Sequence, residues 1–423
     1  MVAESAPAEL LPAPPATTGP PHRPWVLVAS LSSAYFALFV CYSALTSVFL
    51  PNQISDIDPA HKISNLAAVT TLSSVATLLV QPIVGALSDR TRSRFGRRTP
   101  WMLLGAVLGA VFLAAMPLAG SVGLLAVLWV LVQSSLNIVQ SPLTAVLPDR
   151  VPSERRGVTS MFIGLATMVG TTVGAVVAAA FAGRAGLGHL TLSALVLAAV
   201  ALFVRLNREP GTVAAPRPPW SWAAFARGMW ISPRRHPDFA WAFVARVLLT
   251  LGFWILQAFQ LYLLRDHIGL SDADSNGFVA KLSGVMLVAV IISSAVTGPW
   301  SDRVHRRKPF VAVCSLLMAA AMVIPLVSPT TTGMYGYAAL LGLGFGGYQS
   351  LDLALMTEVL PSGESAGKDL GLLNVATNLP QALAPALGGL LISGFGGYPV
   401  LLGFAAAVAA LSALAVLPIR GVR

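Results

Sequence analysis

The chain has 423 residues, of which 56% are hydrophobic and only 10% are charged, and its formal net charge is +10. A soluble domain carries roughly a quarter of charged residues, so this composition excludes an ordinary soluble protein and indicates a membrane protein. A net charge of +10 would also suit nucleic-acid binding, but the placement of the basic residues predicts contact with a lipid surface instead. Both cysteines, Cys41 and Cys314, fall inside apolar runs, which argues against a disulfide framework.

Twelve apolar segments are long enough to cross a membrane, because a spanning helix needs about 20 mostly apolar residues. In chain order they are 26–50, 66–87, 101–119, 122–147, 158–182, 187–204, 239–264, 277–300, 309–327, 333–358, 370–393 and 397–418. The sequence therefore predicts an all-α integral membrane protein with twelve transmembrane helices. Residues 1–25 are rich in Pro and Ala and are expected to form a disordered cytoplasmic tail.

The distribution of Lys and Arg predicts the orientation of the spans, because basic loops stay in the cytoplasm. Of the 27 basic residues, only Lys62, Arg184, Arg265 and Lys281 fall at or near the other face, and Arg246 lies within a span. Both termini are therefore expected in the cytoplasm, and the protein in the cell (plasma) membrane. The basic loops would lie against an anionic leaflet, so we expect the lipid bilayer as a partner and no nucleic acid.

The sequence divides into two halves of six spans each. Residues 26–204 form the predicted N-terminal half and residues 239–423 the C-terminal half, with a cytoplasmic linker at 205–238. Two motifs recur at one constant separation: Gly85, Ser88, Asp89 and Arg90 recur as Gly298, Ser301, Asp302 and Arg303, and Thr144, Val146, Leu147 and Pro148 recur as Thr357, Val359, Leu360 and Pro361. This repeat predicts two pseudo-symmetric six-helix bundles.

The loop after the second span carries the most specific pattern in the chain. Residues 85–101 hold five arginines and one aspartate, and residues 88–101 read Ser-Asp-Arg-Thr-Arg-Ser-Arg-Phe-Gly-Arg-Arg-Thr-Pro-Trp. The pattern resembles the loop between helices 2 and 3 of the major facilitator superfamily. Its longer form resembles the branch of sucrose/proton symporters and glycoside–pentoside–hexuronide cation symporters. The resemblance implies a secondary active transporter for a small polar solute, a glycoside or oligosaccharide, working by alternating access coupled to a proton or sodium gradient.

The resemblance also implies a gating role for charged residues of this loop and of its repeat. In the superfamily, an acid at the position of Asp89, which we expect just past the end of the second span, locks the cytoplasmic gate when the carrier faces outward. The gating candidates are Asp89, Arg90, Arg97, Arg98, Asp302 and Arg303. The alternative is a hydrated loop that only fixes the topology.

Two ionisable residues lie clearly inside predicted spans, Arg246 in the seventh and Asp352 in the tenth. Each lies about two turns from the cytoplasmic face, so an ion pair between them is predicted. A charge inside a membrane is a functional candidate by default, which makes Asp352 a candidate site for the coupling ion, tuned by Arg246. The alternative is a fixed pair that only pins the two spans together.

Amide and aromatic side chains form stripes on several spans, at spacings that place them on one helix face. A polar amide facing lipid is costly, so these stripes are expected to point inward. Amides bind sugar hydroxyls, and an aromatic ring packs against the apolar face of a sugar. The substrate-binding candidates are Tyr35, Gln133, Asn137, Gln140, Trp254, Gln257, Tyr348 and Gln349. The alternative is hydrogen bonding between helices as part of their packing.

The sequence shows no nucleotide-binding motif, no pair of nucleophile and base, and no cluster of metal ligands. We therefore expect no cofactor, no bound metal, no enzymatic activity and a monomer. Two alternatives to a sugar symporter stay open: an efflux antiporter for a drug-like or secreted metabolite, and a non-transporting sensor or scaffold of the same fold. A cavity rich in amides favours sugars, and a mainly apolar cavity favours efflux.

Overall fold

The computed structural model describes residues 24–211, 237–304, 306–359 and 366–419. Within these ranges the chain forms twelve long helices and no strand. The helices are α1 (Pro24–Ala44, continued by Leu45–Phe49 and Leu50–Ile57), α2 (Lys62–Arg90), α3 (Thr99–Ala115), α4 (Val122–Arg150), α5 (Ser153–Ala180), α6 (Ala185–Leu206), α7 (Pro237–Asp266), α8 (Asp272–Val304), α9 (Lys308–Val327), α10 (Thr331–Val359), α11 (Ala366–Gly394) and α12 (Tyr398–Val416).

The helices confirm the prediction of an all-α membrane protein with twelve spans. Ten of them are long and apolar enough to cross a membrane, judged over the described residues. The remaining two, α10 and α11, are each 29 residues long. Most of the predicted tail, residues 1–23, and most of the predicted linker, residues 212–236, lie outside the described part of the chain.

Several helices extend further into their charged flanks than the sequence predicted. The first span continues to Ile57 instead of ending near residue 50, and α8 continues to Val304. Charged and polar residues join these helices because a further helical turn satisfies backbone groups that would otherwise need other partners. Asp89, expected just past the second span, consequently lies inside the last turn of α2.

A π-helical turn at Leu45–Phe49 interrupts α1 and was not predicted. The N–H of Leu50 donates to the carbonyl of Leu45, five residues earlier. Pro51 follows directly, and a proline has no N–H with which to close the preceding α-helical turn. A π turn inserts extra chain into a helix and changes the direction in which later residues point, so it sets the face presented by the end of α1.

The two halves meet mainly through α2 against α11 and through α5 against α8. Small residues permit the close approach of α2 and α11, because a Cβ on Gly389 would lie 2.4 Å from the Cβ of Ala67. Inside the N-terminal half, α1 packs against α5 in the same manner, since a Cβ on Gly174 would lie 2.4 Å from the carbonyl oxygen of Val40. These close contacts hold in place the helices that carry the polar side chains.

Candidate functional site

Three groups of polar residues lie at different depths of the helix bundle. We call the end that carries residues 91–98 the arginine end, and the opposite end, where α1 meets α2 and α7 meets α8, the far end. One polar group lies at the arginine end, a second lies inside the C-terminal half, and a third lies at the far end.

Arg98 is the centre of the polar group at the arginine end. The residue is only 5% exposed, and its Nη2 lies 2.6 Å from Asp149 Oδ2 and 3.5 Å from Asp89 Oδ1. Its Nη1 donates to the carbonyl of Pro142 at 3.1 Å. Arg97 contacts the same Asp149 carboxylate and lies 3.9 Å from Asp89 Oδ1. Two arginines and two aspartates thus join the ends of α2 and α4 to the start of α3.

Glu209, which follows α6, completes this group. Its Oε2 accepts the N–H of Arg98 at 2.9 Å and the N–H of Thr99 at 3.3 Å, so it caps the start of α3. Gly96 makes room for it, because its φ is +91° and a Cβ there would lie 2.3 Å from Glu209 Cγ. Burial lowers the pKa of the Arg98 guanidinium, and the Asp149 carboxylate opposes that shift. We call Asp89, Arg97, Arg98, Asp149 and Glu209 the Arg98 cluster.

Two further gating candidates, Arg90 and Arg303, do not join the Arg98 cluster. Arg90 is half-buried in the last turn of α2 and Arg303 is exposed in the last turn of α8, and neither forms an ion pair with another described residue. The side chain of Asp302 lies outside the described part, so its gating role stays a prediction. At the start of α9, Lys308 donates instead to backbone carbonyls that follow α12, one of them Ile419 O at 2.9 Å.

Inside the C-terminal half, Arg246 and Asp352 form the ion pair that the sequence predicted. Arg246 Nη1 lies 3.1 Å from Asp352 Oδ2, and the two side chains are 13% and 8% exposed. Tyr348, one turn earlier on α10, donates its hydroxyl to Asp352 Oδ1 at 2.6 Å. Both carboxylate oxygens therefore have a donor, and α7 is tied to α10. We call these three residues the Asp352 triad. Tyr348 was predicted to bind the solute, but in this structure its hydroxyl donates to Asp352.

Two of the predicted solute-binding amides carry buried oxygens that have no partner among the described residues. These atoms are Gln133 Oε1 on α4 and Gln257 Oε1 on α7. Because α4 starts at the far end and α7 finishes there, Gln133 lies about 16 Å and Gln257 about 14 Å from that end at 1.5 Å rise per residue. The two unpartnered oxygens thus lie at similar depth on helices of different halves.

Asn137, the second amide of the predicted stripe on α4, makes hydrogen bonds inside the N-terminal half. The residue is 3% exposed, and its Nδ2 donates to the carbonyl of Gln133 at 2.8 Å and to Thr77 Oγ1 at 3.4 Å. The second bond joins α4 to α2 inside the N-terminal half. For this residue the alternative of hydrogen bonding between helices fits the structure better.

The other solute-binding candidates differ in exposure. Tyr35 is buried on α1. Trp254 is half-buried on α7, and its ring meets that of Phe253 edge-on at 5.3 Å between centroids. Gln140 is half-buried on α4, and Gln349 is exposed on α10. Trp254 lies three residues before Gln257 and therefore on the same face of α7.

The polar group at the far end joins the two halves. Lys62, the first residue of α2, places its Nζ 2.6 Å from Oδ1 of Asp266, the last residue of α7. The same Nζ lies 5.2 Å from the centroid of the Tyr262 ring, a cation–π contact. On its other side, Asp266 Oδ2 accepts the hydroxyl proton of Tyr398 at 2.8 Å. An acid of the C-terminal half thus bridges to a lysine of the N-terminal half.

Arg265 makes a second connection between the halves at the far end. Its Nη2 donates to Asn52 Oδ1 on α1 at 2.6 Å and to Asn276 Oδ1 on α8 at 3.2 Å. Asn52 Nδ2 donates in turn to Asn276 Oδ1 at 3.2 Å. Close by, the hydroxyl of Tyr262 donates to the carbonyl of Pro51 at 2.7 Å. Asn52 and Pro51 both follow the π turn of α1, so this turn presents them to α7.

The two ends differ in how the halves are connected. Four side-chain hydrogen bonds cross between the halves in the described part, one of them within the Lys62–Asp266 ion pair, and all four lie at the far end. At the arginine end, the bonds of the Arg98 cluster stay within the N-terminal half. The polar bonds that the described residues make between the halves are therefore bonds of the far end.

Sequence reasoning missed Asp149, Glu209 and the polar residues at the far end. The run of arginines in residues 90–98 is a weak signal for such acids, because any arginine of the run that becomes buried needs a partner that compensates its charge. Asp149 and Glu209 are the acids that directly follow the neighbouring spans. The far-end residues give a weaker signal, because charges at helix ends are usually hydrated.

The fold and these sites can be placed in a known family. The family model of the Major Facilitator Superfamily matches residues 27–367 and 277–422. These matches cover most of the chain, so the protein belongs to the Major Facilitator Superfamily, as its arginine loop predicted. With its apolar helices, it is an integral membrane protein.

Curated relatives match only part of the chain. It is 36% identical over 99 residues to a membrane-associated transporter protein of Homo sapiens, which covers 23% of this chain and 18% of that protein. It is 28% identical over 98 residues to the lactose permease of Leuconostoc lactis, covering 23% and 14%. It is 31% identical over 113 residues to the general alpha-glucoside permease of Schizosaccharomyces pombe, covering 23% and 20%. The chain thus spans a fifth or less of the length of these relatives.

Solved structures match nearly the whole chain at low identity. A bacterial homologue of the human lysosomal transporter Spinster, in an inward-facing and occupied conformation, has a TM-score of 0.68 at 15% identity and covers 95% of each chain. The nucleoside transporter NupG, in a mutant form, has a TM-score of 0.71 at 14% identity, covering 93% of this chain and 99% of its own. At such identities the likeness establishes the fold alone.

Proposed function

We propose that the protein is a secondary active transporter that moves a small polar solute, a glycoside or oligosaccharide, by alternating access. The observation that carries this proposal is the pair of buried amide oxygens, Gln133 Oε1 and Gln257 Oε1, that have no partner among the described residues. A buried acceptor without a donor costs about 1–3 kcal/mol. A solute rich in hydroxyl groups supplies such donors to both halves at once, which ties its binding to their relative position.

The surroundings of Gln257 support a sugar over other polar solutes. Trp254 lies on the same face of α7 and is half-buried, so its ring is available to pack against the apolar face of a sugar. Two partial relatives, named lactose permease and general alpha-glucoside permease, add support for this class of solute. The sucrose and glycoside symporter branch suggested by the arginine loop belongs to this proposal.

We infer that the arginine end faces the cytoplasm, because basic loops are retained on that side. In this orientation the polar bonds at the far end close the outer side of the bundle, and solute enters from or leaves to the cytoplasm. The Asp352 triad is the candidate for coupling, because it holds an acid and an arginine inside the spans. The driving ion is a proton or a sodium ion, carried as a second partner beside the solute.

Substitution of the two amides tests the solute class. The variants Gln133→Ala and Gln257→Ala should each weaken binding of a preferred sugar about threefold to tenfold, because each loses one hydrogen bond worth about 0.5–1.5 kcal/mol. Gln53→Ala, at an amide near the far end that donates to the carbonyl of Met116 inside the N-terminal half, is the control and should bind as the parent does. Affinity is measured by calorimetry on purified protein, after thermal-shift screening of a sugar panel selects the sugar.

Three results would contradict this proposal. Equal sugar affinities in all three variants would show that Gln133 and Gln257 do not contact the sugar. Binding of apolar drug-like compounds in place of every sugar would favour an efflux antiporter. Sugar binding without flux in reconstituted vesicles would favour a sensor or scaffold.

A further inference from the structure

We propose that Tyr42 of α1 is a third solute-binding residue and that Tyr42, Gln133 and Gln257 together take an uncharged solute. We call these three residues the neutral layer. The inference rests on the proposed function and narrows it to a sugar without a carboxylate, phosphate or ammonium group. The hydroxyl oxygen of Tyr42 is buried and, like the two amide oxygens, has no hydrogen-bond partner among the described residues.

Tyr42 lies at the depth of the two amides. It lies about 27 Å from the start of α1 at the arginine end, at 1.5 Å rise per residue. On the same scale, Gln133 lies about 26 Å from that end on α4 and Gln257 about 30 Å on α7. The three unpartnered groups therefore occupy one layer, on two helices of the N-terminal half and one of the C-terminal half.

The neighbours of Tyr42 show which face of α1 it belongs to. Cys41 donates to a backbone carbonyl of α6, and Ser43 donates to one of α5. Thr46, one turn after Tyr42 on the same face, is exposed. The π turn that follows contacts α7, and α1 itself contacts α4. Tyr42 thus lies on the face of α1 that packs against neither α5 nor α6 and is directed towards the helices that carry the two amides.

The charges inside the described helices lie away from the neutral layer. Arg246 and Asp352 lie about 14 Å and 11 Å from the arginine end, at least about 12 Å short of the layer, and compensate each other at 3.1 Å. Lys281 shares an exposed face of α8 with Val288, seven residues later. The face of α8 that meets α1 carries the uncharged Asn276.

An ionised solute in this layer would have no counter-charge when the halves close around it. Burying an unpaired charge costs far more than burying a hydroxyl group, which needs only a hydrogen bond. The two amide oxygens accept hydrogen bonds from solute hydroxyls, and the Tyr42 hydroxyl can donate to a ring oxygen or accept from a hydroxyl. The neutral layer therefore favours a neutral sugar over a hexuronide, a sugar phosphate or an amino sugar.

Substitution of two tyrosines tests the role of Tyr42. Tyr42→Phe should weaken sugar binding about threefold to tenfold, because one hydrogen bond is lost. It should not lower the melting temperature of the solute-free protein, because the hydroxyl has no described partner to lose. Tyr337→Phe is the matched control, and it should bind sugar as the parent does. Its hydroxyl is also buried without a described partner, but Tyr337 lies two turns before Gly344, on the face of α10 that packs against α9.

One sugar in three forms tests the charge of the solute. The neutral form is the best binder among sucrose, maltose and lactose. The charged form is the uronate made by oxidising a primary hydroxyl of that sugar, and it should bind at least about tenfold more weakly. The third form is the methyl ester of this uronate, which removes the charge, keeps the added carbonyl and should recover the affinity. Calorimetry on the purified protein measures all three.

Three results would overturn this inference and leave the proposed function standing. They are a parent-like sugar affinity of Tyr42→Phe, a melting temperature of that variant below the parent's, and a uronate that binds as tightly as the neutral sugar. A parent protein that binds none of the sugars contradicts the proposed function itself, and the melting temperature of Tyr42→Phe still tests whether its hydroxyl is bonded within the protein.

Discussion

The Arg98 cluster and the Asp352 triad both combine arginine with an acidic side chain, but they differ in how many partners each charge has. Arg98 is shared by Asp89 and Asp149 through its side chain and by Glu209 through its backbone N–H. Asp352 has a single cationic partner, Arg246, in the described part of the chain. The cluster therefore distributes its charge over several groups, while the acid of the triad has one charged partner beside the neutral Tyr348 hydroxyl.

The two regions also differ in their access to water. The side chains of Asp89 and Asp149 are 50% and 31% exposed, whereas that of Asp352 is 8% exposed. Charges interact more strongly where water is excluded, so a change at Asp352 has a larger energetic consequence than the same change at Asp89. This contrast favours the triad for coupling and the cluster for gating, where a contact must form and break at moderate cost.

The largest effect is expected from breaking the triad. Arg246→Gln leaves Asp352 with only the Tyr348 hydroxyl as a described partner, and stranding a buried charge typically costs about 3–5 kcal/mol. Adding Asp352→Asn removes the stranded charge and should restore the melting temperature in detergent towards the parent value. Additive destabilisation in the double variant would contradict the dependence of one charge on the other.

Transport by the same double variant separates coupling from packing. If Asp352 binds the driving ion, the stable double variant should equilibrate solute across vesicles but not concentrate it, because no group remains to bind that ion. Uptake is compared with and without an imposed pH or sodium gradient. Full accumulation against a gradient would show that the pair only pins α7 to α10.

A smaller loss of stability is expected from Arg98→Ala. It leaves Asp149 without its most buried partner and Asp89 with only the longer contact to Arg97, but water reaches both acids, so we expect a loss of about 2–3 kcal/mol instead of the 3–5 typical of a sealed pair. Arg97→Ala is the matched control, because Arg97 contacts the same Asp149 with a side chain that is 34% exposed. Its loss should be under about 1 kcal/mol. Equal melting temperatures for the two variants would contradict the central place of Arg98.

The triad and the cluster were predictable from the sequence to different degrees. Arg246 and Asp352 could be paired because a charge inside an apolar span is rare and helix rise gives its depth. The sequence placed Tyr348 on the same span as Asp352, but it did not predict the hydrogen bond between them. A tyrosine inside a span can bind solute, donate to an acid or pack against other helices, and the sequence does not distinguish these roles. For the cluster, the loop motif identified Asp89, Arg97 and Arg98.

What the sequence could not predict depends on contacts between distant segments. Glu209 reaches the start of α3 because Gly96 has no Cβ to block it, and nothing in the residues around either position specifies the other. The bonds between the halves at the far end depend on the π turn of α1, for which Pro51 was a local signal with no indication of its partner. Apolar run length and charge placement therefore predicted the twelve helices, while their polar connections required the structure.

The smallest effect on stability, and a clear one on transport, is expected from Asp89→Asn. Its carboxylate is half-exposed and lies 3.5 Å and 3.9 Å from Arg98 and Arg97, so its loss should change the melting temperature little. If the arginine end closes during the cycle with Asp89 as part of the lock, the initial uptake rate should fall about tenfold, which corresponds to about 1.4 kcal/mol in the barrier.

The control for Asp89 is an acid at the other end of the molecule. Asp58 is 34% exposed and accepts hydrogen bonds from His61 and Asn65 of its own half, so it resembles Asp89 in exposure and charge but crosses no interface between the halves. Asp58→Asn should leave the uptake rate unchanged at matched expression. Equal initial uptake rates in the two variants would indicate that the arginine loop only determines the topology. Slower uptake by Asp89→Asn alone would indicate that Asp89 is part of the gate that moves during transport.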